Sequence, residues 1–447
     1  MNRTVRGLQK IALLLLSMAL ALLIWANYAE RRSPWAVGVT PPLPSFTPKP
    51  DITPHPNMIT LPQYRAEHGE SLVLAVGGDV VVHSGLNAQA MEDGAGEYDY
   101  SKIFEGAAAY FKAADISIVN LETVLAGDDL IAAYPMFRSP DAIAGSLSNS
   151  GVNFVNTAGN HCMDGFKTGL DRTLNVIEAA GMRHIGTYRT QAERDRDRGI
   201  AVIEANGIKI AFLSYTYGTN GMPLYSYDSK GQPVESFEYA VSTFSRDYME
   251  IQPKEPRYDL LRMDMEAAKN IGADLIAVMM HWGTEYETAP NRTQTDLADF
   301  LFMEGADIIL GSHPHVLQPM ELRRVTDSDG KERIGFIIYS LGNFVSCMHE
   351  RKYADLTAIL NIEIEKNLDT GETYIWNLTY APMCMVDLGE ESAIKTGVRY
   401  RLWDIHSALD GHESGESELD EARYEKLLAG LANIHDILGQ DSDYYYR

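Results

Sequence analysis

Short apolar runs, each ending in small or polar residues, recur from residue 72 onward, and this pattern constrains the fold more than any other feature. Each run has the length and composition of a buried strand. The runs occupy residues 72–76, 116–119, 154–155, 275–280, 306–310 and 335–339. Segments with helical periodicity lie between several of them, at residues 167–180, 258–271 and 293–303. The alternation predicts an α/β layered domain.

Two β-hairpins are expected to extend this domain, because each pair of strand-like segments flanks a glycine-containing turn. The pairs are residues 201–204 with 208–214 about Asn206-Gly207, and residues 356–364 with 373–380 about Asp369-Thr370-Gly371. Residues 217–256 are long, polar and without clear periodicity, which is typical of a functional loop or lid. Near the end of the chain, residues 418–438 have the spacing of an acidic amphipathic helix.

The sequence Gly-Ser-His-Pro-His at residues 311–315 follows the apolar run 306–310. In an extended turn, side chains two residues apart point the same way, whereas on a helix they would point to nearly opposite sides. A strand end that offers two imidazoles to one point is typical of half of a metal site. The pattern therefore raises the question of which residues supply the other half.

Polar residues after the other predicted strands should converge with this pair, because ligands bind outside the carboxyl ends of strands in open α/β sheets. The candidates are Asp79, Glu122, Asn160, His161, His281, His313 and His315. Taken singly, each has a structural interpretation as a turn residue, a helix cap or a buried histidine. Taken together, they fit one or two divalent metal ions, and mixed oxygen and nitrogen ligands suit Zn, Mn or Fe. Glu122 could bridge two ions, and His161 could donate a proton to a substrate.

Two further residues are candidates for substrate binding. Arg138 could clamp a carboxylate or a phosphate through its bidentate guanidinium, and a surface salt bridge is an equally good interpretation. Asn343 follows the run 335–339 and could line the site, with a role in the turn as the alternative.

The charge balance excludes one class of partner. The formal net charge is −24, so a nucleic-acid partner is not expected, because phosphate binding requires basic patches. The three cysteines, Cys162, Cys347 and Cys384, have no metal-ligand spacing. Three buried free thiols are expected rather than a disulfide framework.

The first 69 residues predict attachment to a membrane. Residues 1–10 are basic, and residues 11–29 form an apolar run that we interpret as an uncleaved transmembrane anchor, with a cleaved signal peptide as the alternative. Residues 30–69 contain a proline-rich stretch that favours a stiff, extended stalk. The sequence therefore predicts a single-pass protein of the cell membrane whose main domain is extracytoplasmic.

Six motifs, taken in order, resemble the CapA family of capsule synthesis proteins. They are Gly-Asp at 78–79, Asn-Leu-Glu at 120–122, Asn-His at 160–161 with Asp164, His-Trp-Gly at 281–283, Gly-Ser-His-Pro-His at 311–315 and Ser-Leu-Gly-Asn-Phe at 340–344. That family is linked to poly-γ-glutamate synthesis and export and is similar to the calcineurin-like metallophosphoesterases. The resemblance implies a four-layer α/β/β/α metallophosphoesterase-like sandwich at residues 70–400, followed by an acidic helical extension at 401–447. It also implies the membrane, capsule synthase subunits and poly-γ-glutamate as partners.

The resemblance implies a role for each candidate ligand as well. When the family's roles are carried over motif by motif, Asp79 and His315 would bind the first metal, and Asn160, His281 and His313 would bind the second. Glu122 would take the bridging position, and His161 would be the acid that faces the substrate. Two positions depart from the phosphoesterase pattern. Val81 stands where a histidine is usual, with His83 two residues later, and Glu122 stands where an aspartate is usual. The first metal site is therefore the weaker expectation of the two.

Three functions are compatible with these observations. The first is a surface-anchored component of poly-γ-glutamate capsule synthesis or export, and the second is an extracytoplasmic metal-dependent phosphoesterase. The third is a non-catalytic scaffold of the capsule synthase. Whether the chain is an enzyme stays open at this point; if it is one, we expect a metal-dependent hydrolase of amide or phosphoester bonds.

Overall fold

A computed structural model describes residues 61, 65–249, 255–328, 330, 332–390, 392, 398–415 and 419–444. The predicted anchor at residues 11–29 and most of the predicted stalk lie outside these residues. Within the described part of the chain, no helix has both the length and the apolar character needed to cross a membrane.

The described strands and helices alternate along most of the chain. The strands are β1 Gly69–Val80, β2 Ile116–Leu121, β3 Phe154–Asn156, β4 Arg183–Ile185, β5 Ala201–Ala205, β6 Ile208–Thr216, β7 Tyr225–Tyr227, β8 Pro233–Ser236, β9 Leu275–His281, β10 Ile308–Ser312, β11 Leu317–Thr326, β12 Glu332–Leu341, β13 Asn343–Val345, β14 Leu356–Asn367, β15 Thr373–Asp387 and β16 Tyr400–Asp404. The helices are α1 Ser84–Asp93, α2 Glu105–Ala113, α3 Ala142–Asn149, α4 Phe166–Ala179, α5 Gln191–Asp195, α6 Tyr258–Asn270, α7 Arg292–Met303, α8 Ile405–Glu413 and α9 Glu421–Leu438.

The strands form two large sheets. The eight-stranded sheet has the order β16-β15-β14-β1-β2-β3-β4, with β13 pairing to β1, and the six-stranded sheet has the order β11-β12-β10-β9-β6-β5. The central strands run parallel, as β1 does to β2 and as β9 does to β6 and β10. Both predicted hairpins are present, as β5 with β6 and β14 with β15.

The two sheets pack face to face and carry helices on their outer sides. Alternation along β9 shows this, because Leu275, Ala277 and Met279 enter the core between the sheets. The intervening Val278 and Met280 pack outward with residues of α6 and α7. Strands buried on both faces appear in the sequence as continuous apolar runs. The predicted four-layer α/β/β/α sandwich is thus confirmed.

Strand β11 was not predicted from the sequence, whereas helix α9 was expected at residues 418–438. Strand β11 lies at the edge of its sheet, carries Pro319 and exposes part of both faces, so it lacks the continuous apolar run of a central strand. Helix α9 buries Leu427, Leu431 and Ile434 in the core between the sheets. The three cysteines are free, two of them buried, but Cys347 is only partly buried and so departs from the expectation for all three.

Gly311 allows β10 to approach β12 closely, directly before the two histidines of its turn. A Cβ at this position would lie 1.9 Å from the Tyr339 carbonyl oxygen and 2.8 Å from Trp282 Nε1. We therefore expect Gly311→Ala to lower the free energy of unfolding by at least about 2 kcal/mol, because backbone must move. Gly145→Ala is the control: it lies in α3 with nothing within 4 Å of the added methyl, and it should be neutral or stabilising. Urea denaturation of both variants measures the difference; equal stability would contradict this packing argument.

Candidate metal centre

Both sheets contribute polar side chains to one buried cluster at the carboxyl ends of their strands. From the eight-stranded sheet come Asp79 on β1, Glu122 directly after β2, and Asn160 in the turn after β3. The six-stranded sheet supplies three histidines from β9 and from the turn after β10, namely His281, His313 and His315. The parallel register explains the convergence, since Asp79 is opposite Asn120 and His281 is opposite Ser312.

The candidate ligands form two groups of three that share Glu122. One group is Glu122, His281 and His313, and the other is Asp79, Glu122 and His315; within each, the ligand atoms lie within 4.8 Å of one another. Glu122 Oε1 is 3.6 Å from His281 Nε2 and 3.9 Å from His315 Nε2. Asp79 Oδ2 is 3.6 Å from His315 Nδ1. The structure therefore places Glu122 between two sets of potential ligands.

The turn after β10 holds its two imidazoles with an unusual backbone. His313 has φ 94° and His315 has φ 60°, values that side-chain-bearing residues adopt rarely and at some energetic cost. The turn is tied to the opposite sheet, because the His313 N–H donates to Asp79 Oδ2 over 3.0 Å. This bond fixes both histidines relative to the carboxylate of the other sheet.

Glu122 is fully buried, and neither of its carboxylate oxygens has a hydrogen-bond partner among the described residues. Burial, opposed by His315 and reinforced by Asp79, raises the pKa of Glu122 to about 8. A buried carboxylate without hydrogen bonds is costly unless a cation compensates it. The Nδ1 atom of His313 is likewise buried without a partner among these residues.

Burial and neighbouring imidazoles hold the pKa of His281 and of His313 well below the usual value. Both side chains are therefore neutral near pH 7, the form in which imidazole binds a metal. His315 differs. Burial lowers its pKa, but Glu122 and Asp79 outweigh this effect and raise it to about 9. The neighbouring acidic groups thus favour the protonated form of His315.

These residues fit one or two divalent cations. The donor set combines two carboxylates with three imidazoles, a mixture that suits Zn, Mn or Fe, and Asn160 Oδ1 lies 3.0 Å from His281 Nε2. The unpartnered atoms of Glu122 and His313 lie where a cation would satisfy them. Val81, at the position where the phosphoesterase pattern has histidine, is fully buried. His83 forms a hydrogen bond with the Val81 carbonyl and belongs to neither group of three.

Uncharged side chains contact the candidate ligands through hydrogen bonds and so fix their orientation. Asn120 Nδ2 donates to Asp79 Oδ1 over 2.8 Å, and Ser312 Oγ lies 3.0 Å from His281 Nδ1. Asn343, considered above as a residue lining the site, is fully buried: its Oδ1 is 2.9 Å from His315 Nδ1 and its Nδ2 donates to the Ala354 carbonyl. It therefore positions His315 instead of facing a substrate. Such outer contacts fix the orientation of metal-binding imidazoles.

His161 lies beside the two groups of three and belongs to neither. Its Nδ1 donates to Asp164 Oδ2 over 2.7 Å, and its Nε2 is 3.3 Å from Asn220 Nδ2. Burial lowers the pKa of His161, but the Asp164 carboxylate more than offsets this, so the net direction is upward. The arrangement holds one imidazole nitrogen fixed and leaves the other directed toward the segment that contains Asn220.

The segment predicted as a loop or lid contributes two residues that were not predicted individually. The Tyr217 ring packs 4.9 Å from that of His313, and its hydroxyl accepts from Asn160 Nδ2 over 3.1 Å. The same hydroxyl donates to Asn220 Oδ1 over 3.2 Å. Their only signal in the sequence is membership of a long polar segment with aromatic residues. Arg138, a predicted substrate-binding residue, has a buried Nε without a partner among the described residues, next to Phe137, which packs on His161.

Comparison with known proteins gives one family match and two curated relatives. Residues 73–348 match the family described as "Bacterial capsule synthesis protein PGA_cap". The PGA biosynthesis protein CapA of Bacillus subtilis is 29% identical over 272 residues, covering 54% of this chain and 63% of that protein. The capsule biosynthesis protein CapA of Bacillus anthracis is 28% identical over 201 residues, covering 45% and 41% respectively. The chain thus spans less than two thirds of the length of either relative.

Solved structures give weaker similarity. A calcineurin-like phosphoesterase, YfkN from Bacillus subtilis, aligns with a TM-score of 0.40 and 13% identity, over 70% of this chain and 91% of that one. A phosphatase from Mycoplasma pneumoniae aligns with a TM-score of 0.39 and 15% identity, over 70% of this chain and 95% of that one.

Proposed function

The chain belongs to the PGA_cap family of bacterial capsule synthesis proteins, and from that premise we propose that it acts in the synthesis or export of poly-γ-glutamate through a hydrolytic centre that holds divalent cations. Both curated relatives are named for capsule or PGA biosynthesis, which supports the assignment of the polymer. The activity itself is inferred from the site.

One observation carries this proposal: Glu122 is a buried carboxyl group with no hydrogen bond from any described residue, and it is shared by two groups of potential metal ligands. A residue needed only for packing would not leave two carboxyl oxygens unpartnered in the core. Asp79, by contrast, accepts hydrogen bonds at both of its oxygens, from Asn120 and from the His313 backbone. The shared carboxylate is therefore the part of the cluster that is explained best by bound cations.

The side chains have separable roles in the proposed reaction. Glu122 with His281, His313 and Asn160 would hold one cation, and Asp79 with His315 would complete the place for a second. Divalent cations in such a site supply Lewis acidity toward a carbonyl or phosphoryl oxygen and lower the pKa of water. His161, held by Asp164, would give a proton to the leaving nitrogen of a γ-amide.

Arg138 and the segment around Asn220 would hold the substrate. The Arg138 guanidinium, whose Nε has no partner among the described residues, would bind the free carboxylate of a γ-glutamyl unit. The Asn220 amide is 3.3 Å from the imidazole of His161 and would orient the scissile amide beside it.

We also propose that the protein acts outside the cytoplasm, attached to the membrane by residues 11–29 and close to the subunits of a capsule synthase. The apolar run and the proline-rich stretch after it support this location. A net charge of −24 disfavours tight retention of a polyanion along the surface, which suits handover or export of the polymer. Extraction of membranes with alkaline carbonate tests the anchor: full-length protein should stay in the pellet, and its release would refute the anchor.

The activity is tested with full-length protein purified in detergent and loaded with Mn²⁺ or Zn²⁺. Elemental analysis should give one or two cations per chain, and poly-γ-glutamate should be cleaved with release of new amino groups. Bis-p-nitrophenyl phosphate is assayed in parallel. Cleavage of the phosphate ester without cleavage of the polymer would favour a phosphoesterase, and the absence of any stoichiometric cation would refute both enzymatic functions.

A scaffold is separated from an enzyme by substitution in cells that make the capsule. His313→Ala should reduce polymer output, whereas His68→Gln should not, because this exposed histidine lies just before the start of β1 and Asp79 lies near the other end of that strand. Unchanged output from a stably expressed His313→Ala protein would show that the chain acts without catalysis.

A further inference from the structure

A cavity whose lining includes several arginines lies apart from the metal-ligand cluster. It has a volume of about 560 Å³, within the ~300–1,000 Å³ that is common for small-molecule sites. Its lining includes four arginines from three parts of the chain, namely Arg194, Arg198, Arg246 and Arg257. Such a concentration of cationic groups is notable in a chain with a net charge of −24.

Two of these arginines form ion pairs with a buried carboxylate. Arg194 and Arg198 both pair with Asp264, which is fully buried and also accepts from the Tyr215 hydroxyl. One carboxylate thus faces two guanidinium groups. Two guanidinium groups against one carboxylate leave an excess of positive charge where Arg194 and Arg198 line the cavity.

The other two arginines have weak ion pairs or none among the described residues. Arg246 is 3.7 Å from Glu255 and 4.0 Å from Asp259, which are loose contacts for exposed ion pairs. Among the described residues, the Arg257 side chain has no hydrogen-bond or ion-pair partner, although it is partly buried. Ser245, which also lines the cavity, has a buried hydroxyl without a hydrogen-bond partner in the described part of the chain. Unused donors in a concave site indicate an anionic ligand.

The cavity is not purely cationic, and this restricts the ligand. Asp195 and Glu238 also line it and can accept hydrogen bonds. A phosphate diester or an internal polyphosphate unit offers no donors at neutral pH, whereas each unit of a γ-glutamyl chain carries one free carboxylate and one amide N–H. A polar cavity with both guanidinium groups and carboxylates therefore matches the amide-linked chain better.

The cavity also shares a structural segment with the metal-ligand cluster. Tyr248 lines the cavity, and its carbonyl accepts from the Thr219 N–H, one residue before Asn220 of the cluster. The same segment thus borders both places. We propose that this cavity binds a γ-linked glutamate oligomer through Arg257, Arg246 and Ser245, so that it forms a second polymer-binding site; this inference rests on the proposed function.

The test is calorimetric titration of full-length protein with γ-linked tetraglutamate in EDTA. Arg257→Gln should weaken binding by about 10- to 100-fold, the range for a hydrogen bond to a charged group, and Arg257→Lys should restore part of it. Arg292→Gln is the control, because it removes the same charge from a 91% exposed side chain outside the cavity. Thermal melts of each variant establish that it is folded.

Further arms separate this inference from the proposed function. Glu122→Gln should keep tetraglutamate binding, because the cavity is distinct from the cluster. Binding that is lost in Glu122→Gln and kept in Arg257→Gln would overturn the cavity inference and leave the proposed function standing. Equal affinity for α-linked tetraglutamate, displacement by equimolar inorganic phosphate, or no binding by the wild-type protein would each overturn it as well.

Discussion

Glu122→Gln is expected to reduce the affinity for divalent cations by more than about 100-fold, beyond the range measured for changes behind the ligands. Glutamine keeps the shape but removes the one charge that both groups of three share. In EDTA the variant should be at least as stable as the wild-type protein, since it replaces a buried carboxyl group that has no hydrogen bond within the described part of the chain. Elemental analysis and thermal melts with and without Mn²⁺ measure both effects.

Glu365→Gln provides the matched control for this prediction. Glu365 is also buried, but its Oε1 accepts from the Ala66 N–H and from the Tyr374 hydroxyl, and it belongs to neither group of three. The change should leave cation binding intact and lower stability in EDTA. If Glu122→Gln behaved in the same way as Glu365→Gln, the unpartnered carboxylate would be a packing feature and not a ligand.

His161→Gln is expected to lower the turnover of poly-γ-glutamate by about 10²- to 10⁴-fold, the range for loss of a general acid, while cation content stays unchanged. The reason is geometric: Asp164 holds Nδ1, and neither group of three includes His161. Asp164→Asn should have a smaller effect, because it loosens the imidazole without removing it. Initial rates and elemental analysis of the same preparations separate the two quantities.

The exposed His68 gives the control, and His68→Gln should turn over polymer at the wild-type rate. Loss of cations from His161→Gln would make the residue a ligand, and an unchanged rate would remove it from the reaction.

The strand ends could be located from the sequence because the central strands are buried on both faces. That burial turns β9 and β10 into continuous apolar runs, and the parallel-sheet rule then brings His281 and His313 to one edge. Glu122 was found in the same way, directly after β2. What the pattern cannot give is the partner of each side chain, since it identifies an edge and not the contacts across it.

The orientation of Asn343 illustrates this limit. Its contact with His315 depends on the pairing of β13 with β1, where Asn343 is opposite Asp79, and no local pattern encodes a pairing across so many residues. Tyr217 and Asn220 reach the cluster through a segment that lacks a periodic signal, so the sequence could mark the segment but not the two residues. Burial of Val81 was consistent with its apolar side chain, whereas the position of His83 outside both groups of three could be found only from the structure.

The family match ends at residue 348, but the sheet that carries Asp79 does not. Strand β1 pairs with β14 over eight residue pairs, from Gly69 with Asn367 to Val76 with Leu360, and β14 begins only at Leu356. A chain cut at the end of the match would leave β1 with an open edge, and unpaired edges favour association with other chains. The stretch that matches the family is therefore shorter than the sheet that carries Asp79, and the ends of fragments for expression should be chosen by sheet membership and not by sequence similarity.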